Sequence, residues 1–203
     1  MKKMALPLII ALSFSSLLSA SPRDSISEEE MKAIQRYVED EIKFIWQGIK
    51  TIAEGKAATK EIMLWKKRLL ERVGGETLFE FSHLDNEGRQ NITEQKFSDY
   101  LNGLEQYLPK IYRPGSISMR PYIIAWAKEP ESHQITESGS IFTMKVFLSP
   151  EFEGTRIDNE VVYKDNTEKE VEVLVKKDAV SGRITSMDIK SVKVVKTSVN
   201  VKP

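Results

Sequence analysis

The chain has 203 residues, 40% of them hydrophobic, with thirty basic and thirty acidic side chains that cancel, and no cysteine. Without cysteine it has no disulfide scaffold, thiol nucleophile or cysteine-ligated zinc site. Without a basic stripe it lacks the footprint that a nucleic-acid backbone requires.

Met1-Lys2-Lys3, an apolar run from Met4 to Leu18, and Ser19-Ala20-Ser21-Pro22 follow the order of a secretory signal: charge, short apolar core, small residues at the cut. Cleavage after Ala20 is expected, which removes residues 1–20 and leaves the mature chain two charges negative. The expected location is a periplasm or the extracellular space, with no membrane anchor after cleavage. The alternative is an uncleaved amphipathic anchor. Residues 21–26 read as an exposed leader, 27–196 as one domain (27–75 helical, 77–196 sheet with one helix), and 197–203 as a polar tail.

Ser27-Glu28-Glu29-Glu30 is a capping box. Ile34, Val38, Ile42, Ile45, Ile49 and Ile52 then recur at helical steps, so a helix is expected over 27–54 with Gly55 as its stop. Ala58, Ile62, Trp65, Leu69 and Val73 form a second stripe, over 56–73, closed by Gly74-Gly75. The two pack as an antiparallel pair or continue through a kink. Thr77 to Leu84 alternates as a strand, and Asp85-Asn86-Glu87-Gly88 is a turn. Thr93, between Ile92 and Phe97, reads as the N-cap of a third helix over 93–108.

Beyond Tyr112 the period becomes two. Ile117–Ala127 (with Pro121 marking a bulge or edge), 141–148, Val161–Lys164, Val171–Val175 and Ile184–Val195 read as antiparallel strands, and Lys128–Ser138 as a polar turn. Helices first and strands later define an α+β domain with helices on one face of a sheet. Phe142, Met144, Val146 and Leu148 should face the helices. Ile141, Thr143, Lys145 and Phe147 should face the concave side and form a binding surface, and Trp126 is a further candidate for a cavity lining.

The element order resembles the nuclear transport factor 2-like superfamily, the cystatin-like α+β roll. The most pointed similarity is Tyr163-Lys164-Asp165-Asn166-Thr167-Glu168-Lys169-Glu170-Val171-Glu172-Val173. It resembles a late hairpin of exported members from Bacteroidetes-type bacteria, in which a tyrosine, an aspartate, a threonine and a lysine alternate into a valine strand. The resemblance implies long N-terminal helices over a strongly curved antiparallel sheet with a pocket on its concave side. It also implies that enzymes of the fold pair an aspartate with a histidine or tyrosine inside the cone. Function does not follow from fold.

Of the two histidines, His83 shares its strand face with Asp85 by the two-residue period, and these are the candidate catalytic pair. The alternative is that both flank an exposed turn. His133 lies in a polar stretch that reads as a solvated loop. No metal-ligand spacing or Gly-rich phosphate loop is present, so neither metal nor cofactor is expected. Asn91-Ile92-Thr93 matches a glycosylation acceptor, and Asp24-Ser25-Ile26 resembles a bacterial O-glycosylation sequence.

The preferred reading is an exported, non-catalytic binding or assembly module that acts through a concave sheet face or a sheet edge. Its partner is a protein, a small amphipathic ligand, or a second copy of the chain in a homodimer. One alternative is a small enzyme of the same fold that transfers a proton or hydrolyses a substrate in its cavity. Another is a soluble component of an envelope secretion or conjugation machine. Intact-mass spectrometry of the exported protein is expected to place its N-terminus at Ser21; a membrane-bound chain that retains Met1 would overturn the export reading.

Overall fold

The Ser27 hydroxyl accepts a hydrogen bond from Glu30 N at 3.1 Å, and helix α1 runs from there over Glu28–Glu54. The computed structural model describes residues 26–84, 89–113, 115–120, 123–126 and 132–202. Gly55 ends α1 at φ 61°, a left-handed turn that favours glycine. Helix α2 (Thr59–Val73) folds back antiparallel against α1, with Phe44 and Trp65 ring centroids 5.2 Å apart and Arg72 paired with Glu41 at 2.5 Å. Gly48 permits this approach, since a Cβ there would lie 2.7 Å from the Trp65 ring. The pair therefore packs side by side and does not continue through a kink.

Strand β1 (Leu78–Leu84) and strand β2 (Gln90–Lys96) form an antiparallel ladder from Leu78↔Lys96 to Leu84↔Gln90. Thr93 lies inside that ladder opposite Phe81, so it is not the N-cap expected of it. Pairing with β1 overrides the local capping signal there. Helix α3 (Phe97–Gln106) starts four residues later, and backbone bonds hold its first turn: Phe97 N to Thr77 O at 2.8 Å and Ser98 N to Gly75 O at 3.1 Å. A short turn of helix, α4 (Leu108–Ile111), follows.

The remaining strands are β3 (Ser118–Arg120), β4 (Ile123–Trp126), β5 (Ser132–Thr136), β6 (Gly139–Leu148), β7 (Glu151–Thr155), β8 (Val162–Asp178) and β9 (Ile184–Lys202). Among the described residues they form one sheet in the order β2-β1-β9-β8-β6-β4, with β5 also on β6, and β7 joining β3 to β8. Every pairing is antiparallel except β1 with β9, which is parallel at Leu78↔Ser191 and Phe79↔Val192, so the sheet is mixed. Parallel strands need a long crossover, and more than a hundred residues of intervening chain supply it.

Three segments differ from the periodicity. The expected turn 128–138 contains β5, an edge strand whose side chains are mostly exposed; its hairpin with β6 is held by backbone pairing rather than by an apolar face. Val161–Lys164 and Val171–Val175 belong to one continuous strand, β8. Residues 197–202, expected as a tail, extend β9 and pair with Val162–Thr167.

The expected α+β roll, with helices over one face of a curved sheet, is the architecture observed. The α1 stripe packs on Phe142, Met144, Val146 and Leu148 of β6 and on Val171, Val173 and Val175 of β8, all at most 2% exposed. Ile141, Thr143, Lys145 and Phe147 lie half-buried on the other face of β6. Asp at Val146 would place an unpaired carboxylate in this core at several kcal/mol, a large part of the ~5–15 kcal/mol typical of a domain. Val146→Asp is expected to abolish the cooperative thermal transition. Ile141→Ser should lower stability by only about 1 kcal/mol.

Candidate functional site

The α1 stripe covers only part of the inner face. Beside it, a cavity of about 780 Å³, partly open to solvent, lies between the sheet and helices α3 and α4. Its apolar wall includes Trp46 from α1, Phe81 from β1, Tyr100 and Leu104 from α3, and Met119 from β3. Phe79, Phe97 and Tyr100 fix α3 on β1, with Phe79 and Phe97 centroids 4.5 Å apart.

The opposite wall is the first half of β8. Tyr163, Asp165, Thr167 and Lys169 alternate along it and all face the cavity. They share parity with Val171, Val173 and Val175, so the strand that supplies the core also carries a polar row on the same face. Thr167 Oγ1 donates to Asp165 Oδ1 at 3.2 Å and lies 3.1 Å from Thr197 Oγ1. Burial pushes the Asp165 carboxyl up from its ordinary value, against the pull of the neighbouring Tyr163 and Thr167 hydroxyls and of the Lys169 charge. Burial and the nearby Asp165 charge push Tyr112 up to about 12, and they raise Tyr100 and Tyr163 in the same direction.

Tyr112 packs edge-on against Phe152, with centroids 5.0 Å apart, and 6.0 Å from the Tyr163 ring. Gly154 makes room for it, because a Cβ there would lie 2.8 Å from the Tyr112 ring. Arg156, also at the cavity, is held by Asp158 through Nε at 3.0 Å and Nη2 at 2.7 Å.

Lys169 is 5% exposed, and its Nζ donates to the Glu80 carbonyl oxygen at 2.7 Å. That carbonyl lies on β1 just past the last parallel pair with β9, so the side chain reaches beneath β9 to the next strand. The Glu80 carboxylate accepts from Val194 N at 2.7 Å, beside the bulge in β9 opposite Glu168 and Lys169. Desolvation brings the Lys169 ammonium down to about 8, although the charges of Asp165 and Glu80 oppose the shift.

The residues singled out from the sequence are placed elsewhere. Ile141, Thr143, Lys145 and Phe147 point away from the cavity; Lys145 pairs with Glu170 at 3.2 Å, and Thr143 accepts from Ser132 at 3.0 Å. Trp126 pairs with Val146 and packs against the core without lining the cavity. His83 lies on β1 opposite Asn91, while Asp85 and the cleavage site at Ala20 lie outside the described residues. His133 is on β5 rather than in a loop and stacks on Phe142 with centroids 4.5 Å apart, its Nε2 buried without a hydrogen-bond partner among the described residues. The sequence did point to the cavity row, because Tyr163, Asp165, Thr167 and Lys169 carried the family resemblance. Their parity with the buried valines is the signal that assigns them to a site.

No group of His, Cys, Asp and Glu among the described residues is arranged to hold a metal ion, and no helix among them is long and apolar enough to cross a membrane.

Fold and site together define an α+β roll with a preformed, partly open cavity that combines a largely aromatic wall with a polar row along β8. No family model matches the sequence, and no curated protein does. Among solved structures, the chain is similar to a hexachlorocyclohexane dehydrochlorinase (LinA) Type2, with TM-score 0.45 and 6% identity over 82% of this chain and 90% of that one. It is also similar to a putative scytalone dehydratase from Novosphingobium aromaticivorans, with TM-score 0.40 and 13% identity over 84% and 87%. These are similarities of outline, and no residue role passes from them to this chain.

The shift at Lys169 has a definite sign. An unfolded lysine titrates near ~10.4, so between pH 8 and that value the unfolded chain binds more protons and stability rises with pH. The ionised, buried Lys169 therefore destabilises the fold at neutral pH, by on the order of 3 kcal/mol. Lys169→Met should melt at a higher temperature than the parent at pH 7, and the gap should narrow as pH rises from 8 towards 10.

Proposed function

We propose that the protein is an exported binding module that takes a small amphipathic molecule into the cavity between its sheet and helices α3 and α4. The observation that carries this reading is the cavity itself, which is preformed, about 780 Å³ in volume, and lined by aromatic rings facing a row of polar groups. That size and division of surface are those of small-molecule sites. The polar row would fix the ligand's hydrogen-bonding end, and Trp46, Phe81 and Tyr100 would bury its apolar body. Export is supported by the charge, apolar and small-residue order of residues 1–21.

A second reading, a proton-transfer enzyme, is favoured by Asp165, whose carboxyl is held by Thr167 and raised by burial. A carboxylate so tuned can serve as a general base. Deuterium uptake from D2O by a bound acidic C–H separates the two readings: the enzyme shows it and loses it in Asp165→Asn, whereas the binding module shows none.

Gly103 gives a test of the cavity. It lines the space, and a Cβ there would touch only the Tyr107 ring, at 3.9 Å. Gly103→Phe should fill the cavity while keeping, or slightly raising, the stability of helix α3. The parent should bind 1-anilinonaphthalene-8-sulfonate with energy transfer from Trp46, and Gly103→Phe should weaken that binding at least tenfold with its near-ultraviolet circular dichroism intact. Equal binding by the two proteins would sink the proposal.

A further inference from the structure

Lys169 is the buried group that ligand binding by itself does not explain. It destabilises the fold at neutral pH, and an apolar side chain could fill its place. Its ammonium donates to a neutral acceptor, the Glu80 carbonyl, while the Glu80 carboxylate is engaged by Val194 N. It lines the cavity from the floor of the polar row, with Thr167 and Asp165 further along the same strand face. A lysine held in a confined, partly apolar space gives up its proton more readily than an exposed one, and its neutral amine is a nucleophile.

We propose that Lys169 is a covalent attachment site for an aldehyde or ketone ligand with an aromatic or other apolar body, bound in the cavity as a Schiff base. This inference rests on the reading of the cavity as a ligand site and deepens it. The neutral amine of Lys169 attacks the carbonyl carbon, a C–N bond forms, and the carbonyl electron pair moves to oxygen. The two amine hydrogens and that oxygen then leave as one water molecule, and C=N replaces C=O. No oxidant or reductant is consumed, and the adduct is reversible by hydrolysis. Desolvation gives the chemical bias. With its amine near 8, roughly half of Lys169 is neutral at pH 8, against about 0.4% of an exposed lysine near ~10.4.

The test uses benzaldehyde, limiting and at pH 8, with cyanoborohydride to trap the imine, followed by peptide mapping of the full chain. Lys32 and Lys67, with side chains 61% and 73% exposed, serve as standards in the same molecule. Benzylation of Lys169 at least tenfold above both is expected, and so is its loss in Gly103→Phe with the standards unchanged. Lower enrichment at Lys169, or labelling that persists when the cavity is filled, overturns the inference. If 1-anilinonaphthalene-8-sulfonate still binds the parent while Lys169 is not enriched, the Schiff base is wrong and the ligand site stands. If the dye does not bind and Lys169 is not enriched, both readings fall.

Discussion

A strand whose side-chain chemistry changes along one face cannot be covered in the same way throughout, and β8 is seventeen residues long. Its inward positions are valines from 171 to 175 and polar groups from 163 to 169. Desolvating apolar surface is favourable, whereas desolvating polar groups is not unless they are bonded. Helix α1 accordingly packs on the valine half. Over the polar half, α3 and α4 stand off the sheet, and the gap between them is the cavity. The division of one strand face into two chemistries determines where the protein is solid and where it is hollow.

The polar half is held together as a network. Thr167 ties Asp165 to Thr197 on β9, and Lys169 reaches past β9 to β1. The cavity wall is thus cross-linked over three neighbouring strands. These side-chain bonds offset part of the desolvation that burial imposes, and what is left unoffset appears as raised carboxyl and phenol values and a depressed ammonium. Perturbed groups that converge on a concave surface are candidates for a functional site.

The aromatic side of the cavity is held in place in a different way. The Phe79, Phe97 and Tyr100 rings dock α3 on β1, and the backbone bonds from Phe97 and Ser98 to Thr77 and Gly75 start that helix without a side-chain cap. The wall opposite the polar row is therefore set by packing against the sheet. The ligand proposed for the cavity would meet a surface that is already formed, and pre-organisation of this kind reduces the entropy lost on binding.

The sequence by itself determined the helices α1 and α2, the strand character of the second half and the alternation of β6. Each of these is written in a local period that one buried face enforces. It also marked Tyr163, Asp165, Thr167 and Lys169 as a distinctive alternating set. Four outcomes depended on partners remote in the chain: β2 in place of the first turn of a helix at Thr93, β5 in a polar stretch, the parallel pairing of β1 with β9, and the extension of β9 through 197–202. Backbone pairing is blind to side-chain pattern, so no local period announces it. The side of the sheet that holds the cavity was decided in the same way. Parity separates the two faces of a strand but does not say how far a helix on another part of the chain will cover one of them; only the packed structure, with the α1 stripe on the valines and the cavity over residues 163–169, leaves that polar row facing open space.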